Sequence, residues 1–207
     1  MAHSVLYRKR CQELVAFFTI PEPTDIVGIT SSMEYWRNIM TWAETIVQSL
    51  KDWDTPLIAY VPDISIDRVT RLIAADPFFH LVSCTREEEA IGIAVGSYAV
   101  GQNSAVFMQS SGFGNSINAL ASLCIPARTP IPIFMNLRGG TGEFNISQVA
   151  MGKSTKPILD LLGLVHFTLE DEYRMDEILN GAMKLCHAHR NPVGICMTPM
   201  LHGGKLA

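Results

Sequence analysis

Short apolar, β-branched runs recur along the chain, separated by segments with helical period. Leu57–Val61, His80–Ser83, Ala105–Gln109, Ile131–Met135, Val165–Thr168 and Val193–Met197 read as strands. Helical stretches near Ile66–Ala75, Arg86–Val100, Asn115–Leu123, Lys156–Leu162 and Met175–His189 lie between them. Strict βα alternation predicts a doubly wound α/β domain, with a mostly parallel six-stranded sheet covered by helices on both faces. A further amphipathic helix, roughly Met33 to Trp53, precedes the first strand. Pro21-Glu22-Pro23-Thr24 breaks the chain before it. Residues 1–31 therefore read as an N-terminal extension, 32–200 as the domain and 201–207 as a tail. In open α/β sheets ligands bind outside the carboxyl ends of the strands. The informative segments are those after Val61, Ser83, Gln109 and Met135.

Composition narrows the function classes. A chain of 207 residues suits one sizeable core, and 48% hydrophobic against 17% charged residues implies extensive burial, including burial against other subunits. Net charge is −4, and the one basic run, Arg8-Lys9-Arg10, has no interleaved aromatics, which argues against a nucleic-acid partner. Five cysteines, odd in number and without a C-x-x-C pair, read as reduced and mostly buried thiols. No run approaches the roughly 18 apolar residues of a spanning helix. Met1–Arg10 lacks the apolar stretch of a leader, so the expected location is the cytoplasm, away from membranes.

The candidate chemistry begins at Thr85-Arg86-Glu87-Glu88-Glu89-Ala90-Ile91. One reading is structural: Thr85 caps the helix, Glu88 closes the capping box, and acidic residues suit the first turn. Ala90 to Val100 carries no charge, however, which predicts a helix buried on nearly all sides. Glu87 projects on the same face as Ala90, Ile91, Ala94 and Tyr98. A carboxylate heading such a stripe faces desolvation, which favours its neutral, hydrogen-bond-donating form. The next segment, Gln109-Ser110-Ser111-Gly112-Phe113-Gly114-Asn115-Ser116-Ile117-Asn118, reads as a strand-to-helix loop. Its glycines permit close backbone approach to a ligand, or serve as plain turn residues.

Together, Val61-Pro62-Asp63, the Thr85–Ala94 run, the Gln109–Asn118 segment, Leu137-Arg138-Gly139-Gly140 and Met151-Gly152-Lys153 resemble, in order, the pyrimidine-binding domain of sulfopyruvate and phosphonopyruvate decarboxylases. The resemblance covers roughly Met33 to Met197 and implies a thiamine diphosphate enzyme that decarboxylates a 2-oxoacid, sulfopyruvate first among them. It implies that Glu87 meets N1′ of the cofactor's aminopyrimidine and favours the imino tautomer, whose 4′ nitrogen takes the C2 proton of the thiazolium. Gln109, Ser111, Gly112, Phe113, Gly114 and Asn118 are the implied further cofactor contacts.

The family holds the diphosphate and Mg²⁺ in a second domain marked by Gly-Asp-Gly, a tripeptide that occurs nowhere in this sequence. The resemblance thus implies an α subunit whose β-subunit partner binds diphosphate and metal in a hetero-oligomer such as a heterotetramer, with no metal ligands on this chain. The chain departs from the phosphonopyruvate enzymes at Ser110, where they tend to carry Asn, near Gln148, where they carry His, and at Gly140, where they carry an acid. Asp63, Arg138 and Gln148 are the implied substrate-facing residues. Asp63 reads equally as a turn residue, and Arg138 and Lys153 as ordinary loop cations. His187 and His189 lie about 200° apart on a helix, which fits helix-end histidines better than a metal site.

Overall fold

The computed structural model describes residues 40–203. Helix α1 (Trp42–Asp52) comes first, capped by Thr41: the Glu44 carboxylate accepts from the Thr41 amide at 2.9 Å and the Thr41 hydroxyl accepts in turn from the Glu44 amide. There follow β1 (Leu57–Tyr60), a 3₁₀ turn (Ile64–Ile66), α2 (Asp67–Ala75), β2 (His80–Ser83), α3 (Glu87–Ala99) and β3 (Ser104–Gln109). Helix α4 (Ser110–Ala119) runs into a π-helical turn, Leu120–Cys124. Then come β4 (Pro132–Asn136), α5 (Ile146–Leu161), β5 (His166–Leu169), α6 (Met175–His189), β6 (Val193–Met197) and the short α7 (Pro199–His202).

The six strands form one all-parallel sheet in the order β2-β1-β3-β4-β6-β5. Period-2 alternation sorts their side chains into two cores. Ile58, Phe107, Phe134 and Ile195 pack with α1, α2 and α6 on one face. Ala59, Val106, Met108, Ile133, Met135 and Cys196 pack with α3, α4 and α5 on the other. Phe107 and Phe134, paired in the β3–β4 register, stack with centroids 4.4 Å apart. The strand order reverses direction between β1 and β3, where a doubly wound sheet opens its ligand crevice.

Several expectations shift. Helix α4 starts at Ser110, not Asn115, so the expected loop Gln109–Asn118 is largely helix: Gln109, at φ −86° and ψ 160°, turns the strand straight into it. Helix α5 starts at Ile146, not Lys156. Gly152 lies inside the added stretch, and the Asn145 side chain caps the helix by accepting from the Ser147 amide at 3.1 Å. The uncharged stretch of α3 is not buried all round either: Ala90, Ile91, Ala94 and Ser97 face the core, whereas Gly92 and Gly96 are exposed. Its outer side carries small residues in place of charges, so lack of charge did not mean contact with this chain's own core.

Leu201 and His202, expected in a tail, belong to α7. The start of the Met33–Trp53 helix, the boundary at residue 31, Cys11 and residues 204–207 lie outside the described residues. Cys84, Cys124, Cys186 and Cys196 are free and buried, and burial pushes the Cys124 and Cys186 thiols up to about 12. No helix among the described residues is long and apolar enough to cross a membrane.

Candidate active site

Helix α3 begins at Glu87, with Arg86 as its N-cap in extended conformation. Glu89 is then the third helical residue and reaches back: its carboxylate accepts from the Thr85 amide at 2.9 Å and the Thr85 hydroxyl at 3.0 Å. These bonds hold the Glu89 carboxyl below its usual range. The capping role expected of Glu88 therefore falls to Glu89, because helix start and cap lie one residue later than expected. Glu88 pairs with Arg86 instead.

Glu87 is half-buried and points across to α4. Its Oε2 accepts from Asn115 Nδ2 at a long 3.4 Å, and Oε1 takes no hydrogen bond among the described residues. A Cβ built on Gly112 would overlap the Glu87 carboxyl group, so glycine there keeps room for this side chain rather than making a turn.

The adjoining strand ends carry a polar chain. Ser111 Oγ donates to Gln109 Oε1 at 2.8 Å, and Gln109 Nε2 donates to Asp63 Oδ2 at 3.0 Å. Asn136 Nδ2 donates to the same Asp63 oxygen at 2.9 Å. Asp63 after β1, Gln109 on β3 and Asn136 on β4 are thereby joined across the point where the strand order reverses. Ser110 Oγ and Asn136 Oδ1 are buried without partners among the described residues. Phe113 is fully buried in the core, which leaves only its backbone for a ligand. Asn118 is exposed and accepts from Ser122 Oγ at 3.1 Å. Gly114 lies against the Met151 thioether.

Past β4 the picture changes. Arg138 is buried, and its Nε and Nη2 donate to the two Glu143 oxygens at 2.6 and 2.7 Å. The Asn145 and Gly139 amides bond the same carboxylate at 2.9 and 3.2 Å. Chiefly through Arg138, this environment pulls the Glu143 carboxyl down to about 2. Gly139, at φ 76°, and Gly152 allow α5 to press directly onto this loop; a Cβ on Gly152 would overlap the Arg138 carbonyl. Gln148 is half-buried with its Oε1 unpartnered among the described residues.

His202, desolvated and with its pKa lowered for that reason, is close enough to Asp63 and Arg138 to feel both charges. His187 stacks on Trp53 at 5.4 Å, as a structural residue would. Among the described residues no three His, Cys, Asp or Glu side chains are grouped to hold a metal. Asn115, Asn136, Glu143 and His202 went unnoticed in the sequence. Asn115 alone was legible, lying in the singled-out segment one helical turn beyond Ser111.

Residues 40–135 match the family model described as thiamine pyrophosphate enzyme, N-terminal TPP binding domain. The sulfopyruvate decarboxylase subunit alpha of Methanothermobacter thermautotrophicus is 39% identical over 120 residues, covering 58% of this chain and 73% of that one. The chain belongs to this α-subunit family. It is an α/β thiamine diphosphate-binding subunit, and its β2–α3 and β3–α4 segments lie inside the matched region. The phosphonopyruvate decarboxylase of Streptomyces viridochromogenes is 31% identical over 150 residues, covering 72% of this chain but 37% of that one. A 2-oxoglutarate:ferredoxin oxidoreductase from Magnetococcus marinus shares the fold, with TM-score 0.61 at 14% identity over 79% of this chain and 29% of that one.

Proposed function

We propose that this chain is the α subunit of a two-subunit thiamine diphosphate-dependent decarboxylase that converts sulfopyruvate to sulfoacetaldehyde and CO₂. The observation that carries the reading is Glu87: a half-buried carboxylate with Oε1 unengaged, given room by Gly112, at the head of an uncharged helix. That arrangement fits an aminopyrimidine. Glu87 would bond N1′, while Gln109, Ser111 and the backbone of Gly112 to Gly114 would border the ring. Bound there, the cofactor supplies the electron sink for carbon dioxide loss. Glu87 keeps a proton available at N1′, and the apolar residues behind it exclude water.

The relatives support a split enzyme. The α-subunit relative is covered over most of its length, whereas the phosphonopyruvate enzyme is matched over 37% of its length. A β subunit carrying Gly-Asp-Gly would hold the diphosphate and Mg²⁺, and the working assembly would be a cytoplasmic hetero-oligomer. Asp63 and Gln148 are the substrate-facing residues of this reading. Arg138 offers less charge to an anion than expected, because Glu143 already engages two of its three nitrogens.

The test is Glu87→Gln assayed for CO₂ release in the complex with the partner subunit. Turnover should fall by about two orders of magnitude, the scale of a lost acid/base group, with melting temperature and assembly unchanged. Full activity in that variant refutes the assignment. Preference of the wild-type complex for phosphonopyruvate would change the substrate and leave the thiamine chemistry in place.

A further inference from the structure

Beyond the carboxyl ends of β4, β5 and β6 lies a cleft of about 400 Å³ whose lining includes neither Glu87 nor Gly112. Its walls include Arg138, Gly140, Lys153, Lys156, Glu170 and Thr198. Two features mark it as built for a polar ligand. Arg138 is 6% exposed, and its Nη1 has no partner among the described residues even though its other two nitrogens are clamped. Thr198 Oγ1, just past β6, is likewise buried and unpartnered.

The net charge of the walls is decided by α5. Glu143 offsets Arg138, which leaves Lys153 and Lys156 against the exposed Glu170. The two lysines stand three residues apart, so they share one side of the helix. Gly152 seats that side directly on the Arg138 backbone. Burial pushes the Cys196 thiol up to about 11, and the Lys156 charge acts against that push.

We infer that this cleft is an oxyanion subsite in which Lys153 and Lys156, with Thr198 and the Nη1 edge of Arg138, take the sulfonate of the substrate, the group that stays charged after carbon dioxide leaves. Glu143 fixes the plane of the Arg138 guanidinium by engaging Nε and Nη2, which leaves Nη1 as its unengaged edge among the described residues. The inference rests on the proposed substrate for the identity of the anion, but the site itself follows from the cleft.

Two measurements keep these apart. In the first, the full chain is titrated with sulfoacetate, which has the sulfonate but no 2-oxo group, and amide shifts of Gly139, Gly140 and Thr141 are followed by NMR. Saturable shifts that vanish in Lys153→Met/Lys156→Met support the subsite; no shifts, or shifts that persist in the double variant, overturn it. In the second, the double variant is assayed with the partner subunit. KM for sulfopyruvate should rise by about tenfold or more, the scale of a lost charge-assisted bond, while KM and kcat for pyruvate stay within about twofold. Equal changes for both substrates overturn the sulfonate assignment. A wild-type complex inactive on sulfopyruvate refutes the proposed substrate, and the sulfoacetate titration then decides the subsite by itself.

Discussion

Glu87 and Glu143 lie at the same end of the same sheet, each beside a helix brought close by a glycine, and they are held in opposite ways. Glu143 is bonded by Arg138 and by two backbone amides. Glu87 is touched by one long bond from Asn115. A carboxylate with all its acceptor directions satisfied is part of the framework. One with a free oxygen, in a half-buried place, is left for a ligand. The glycines differ in the same sense: Gly112 makes room for a side chain, Gly152 for a backbone. Charge and proximity to the strand ends do not distinguish function from structure here; the number of satisfied bonds does.

The largest effect should come from Glu143→Gln. It leaves the Arg138 charge buried without its counter-ion, and urea unfolding should show a loss of about 3 kcal/mol. The pH dependence has a definite sign. The Glu143 carboxyl is held at about 2 against an ordinary 4.5, so the folded state binds fewer protons than the unfolded chain in that interval. The pair's stabilisation is present above about pH 4.5 and drains away as pH falls toward 2. The variant should lose that part of the acid limb. A variant as stable as the wild type would remove the framework role of the pair.

Gly112→Ala sharpens the comparison from the other side. The new methyl group takes the space of the Glu87 carboxyl, which can swing away at little cost to the fold. Turnover in the complex should fall about a hundredfold, close to 2.7 kcal/mol in activation free energy, with the melting temperature nearly unchanged. Gly152→Ala should do the reverse. Its methyl group meets the Arg138 backbone, which cannot swing, so a stability loss of about 1–3 kcal/mol is expected in the same urea assay. If both alanines lowered stability alike and spared the rate, the distinction between the two glycines would collapse. Smaller still should be Glu89→Gln, which weakens the bonds to Thr85: a slightly lower melting temperature with kcat unchanged; smallest of all should be Glu88→Gln, which should shift the melting temperature even less.

Much of the fold was legible in the sequence because its signals are local. Alternating apolar runs and helical stretches marked all six strands and their parallel arrangement, and the helical projection of Glu87 picked out the carboxylate that faces α4. What was misread depends on contacts that no local pattern announces. Gly112 was read as a loop or turn residue and Gly152 fell outside the expected helix, yet both lie within helices, where the missing side chain permits close packing. Arg138 looked like a free cation because nothing in its spacing from Glu143 requires the loop to fold the carboxylate back onto it.

The sequence by itself therefore determined the class of fold, the family and the identity of the open carboxylate, since periodicity, motif order and side-chain chemistry are written along the chain. Which charges are free and which are spent was decided only by tertiary structure. The hydrogen bonds of Asp63 with Gln109 and Asn136 and the lysine-lined cleft join residues from different strand ends, and only the closing of the sheet brings those ends together; the clamp on Arg138 is made within one loop, by a fold of that loop that its sequence does not announce.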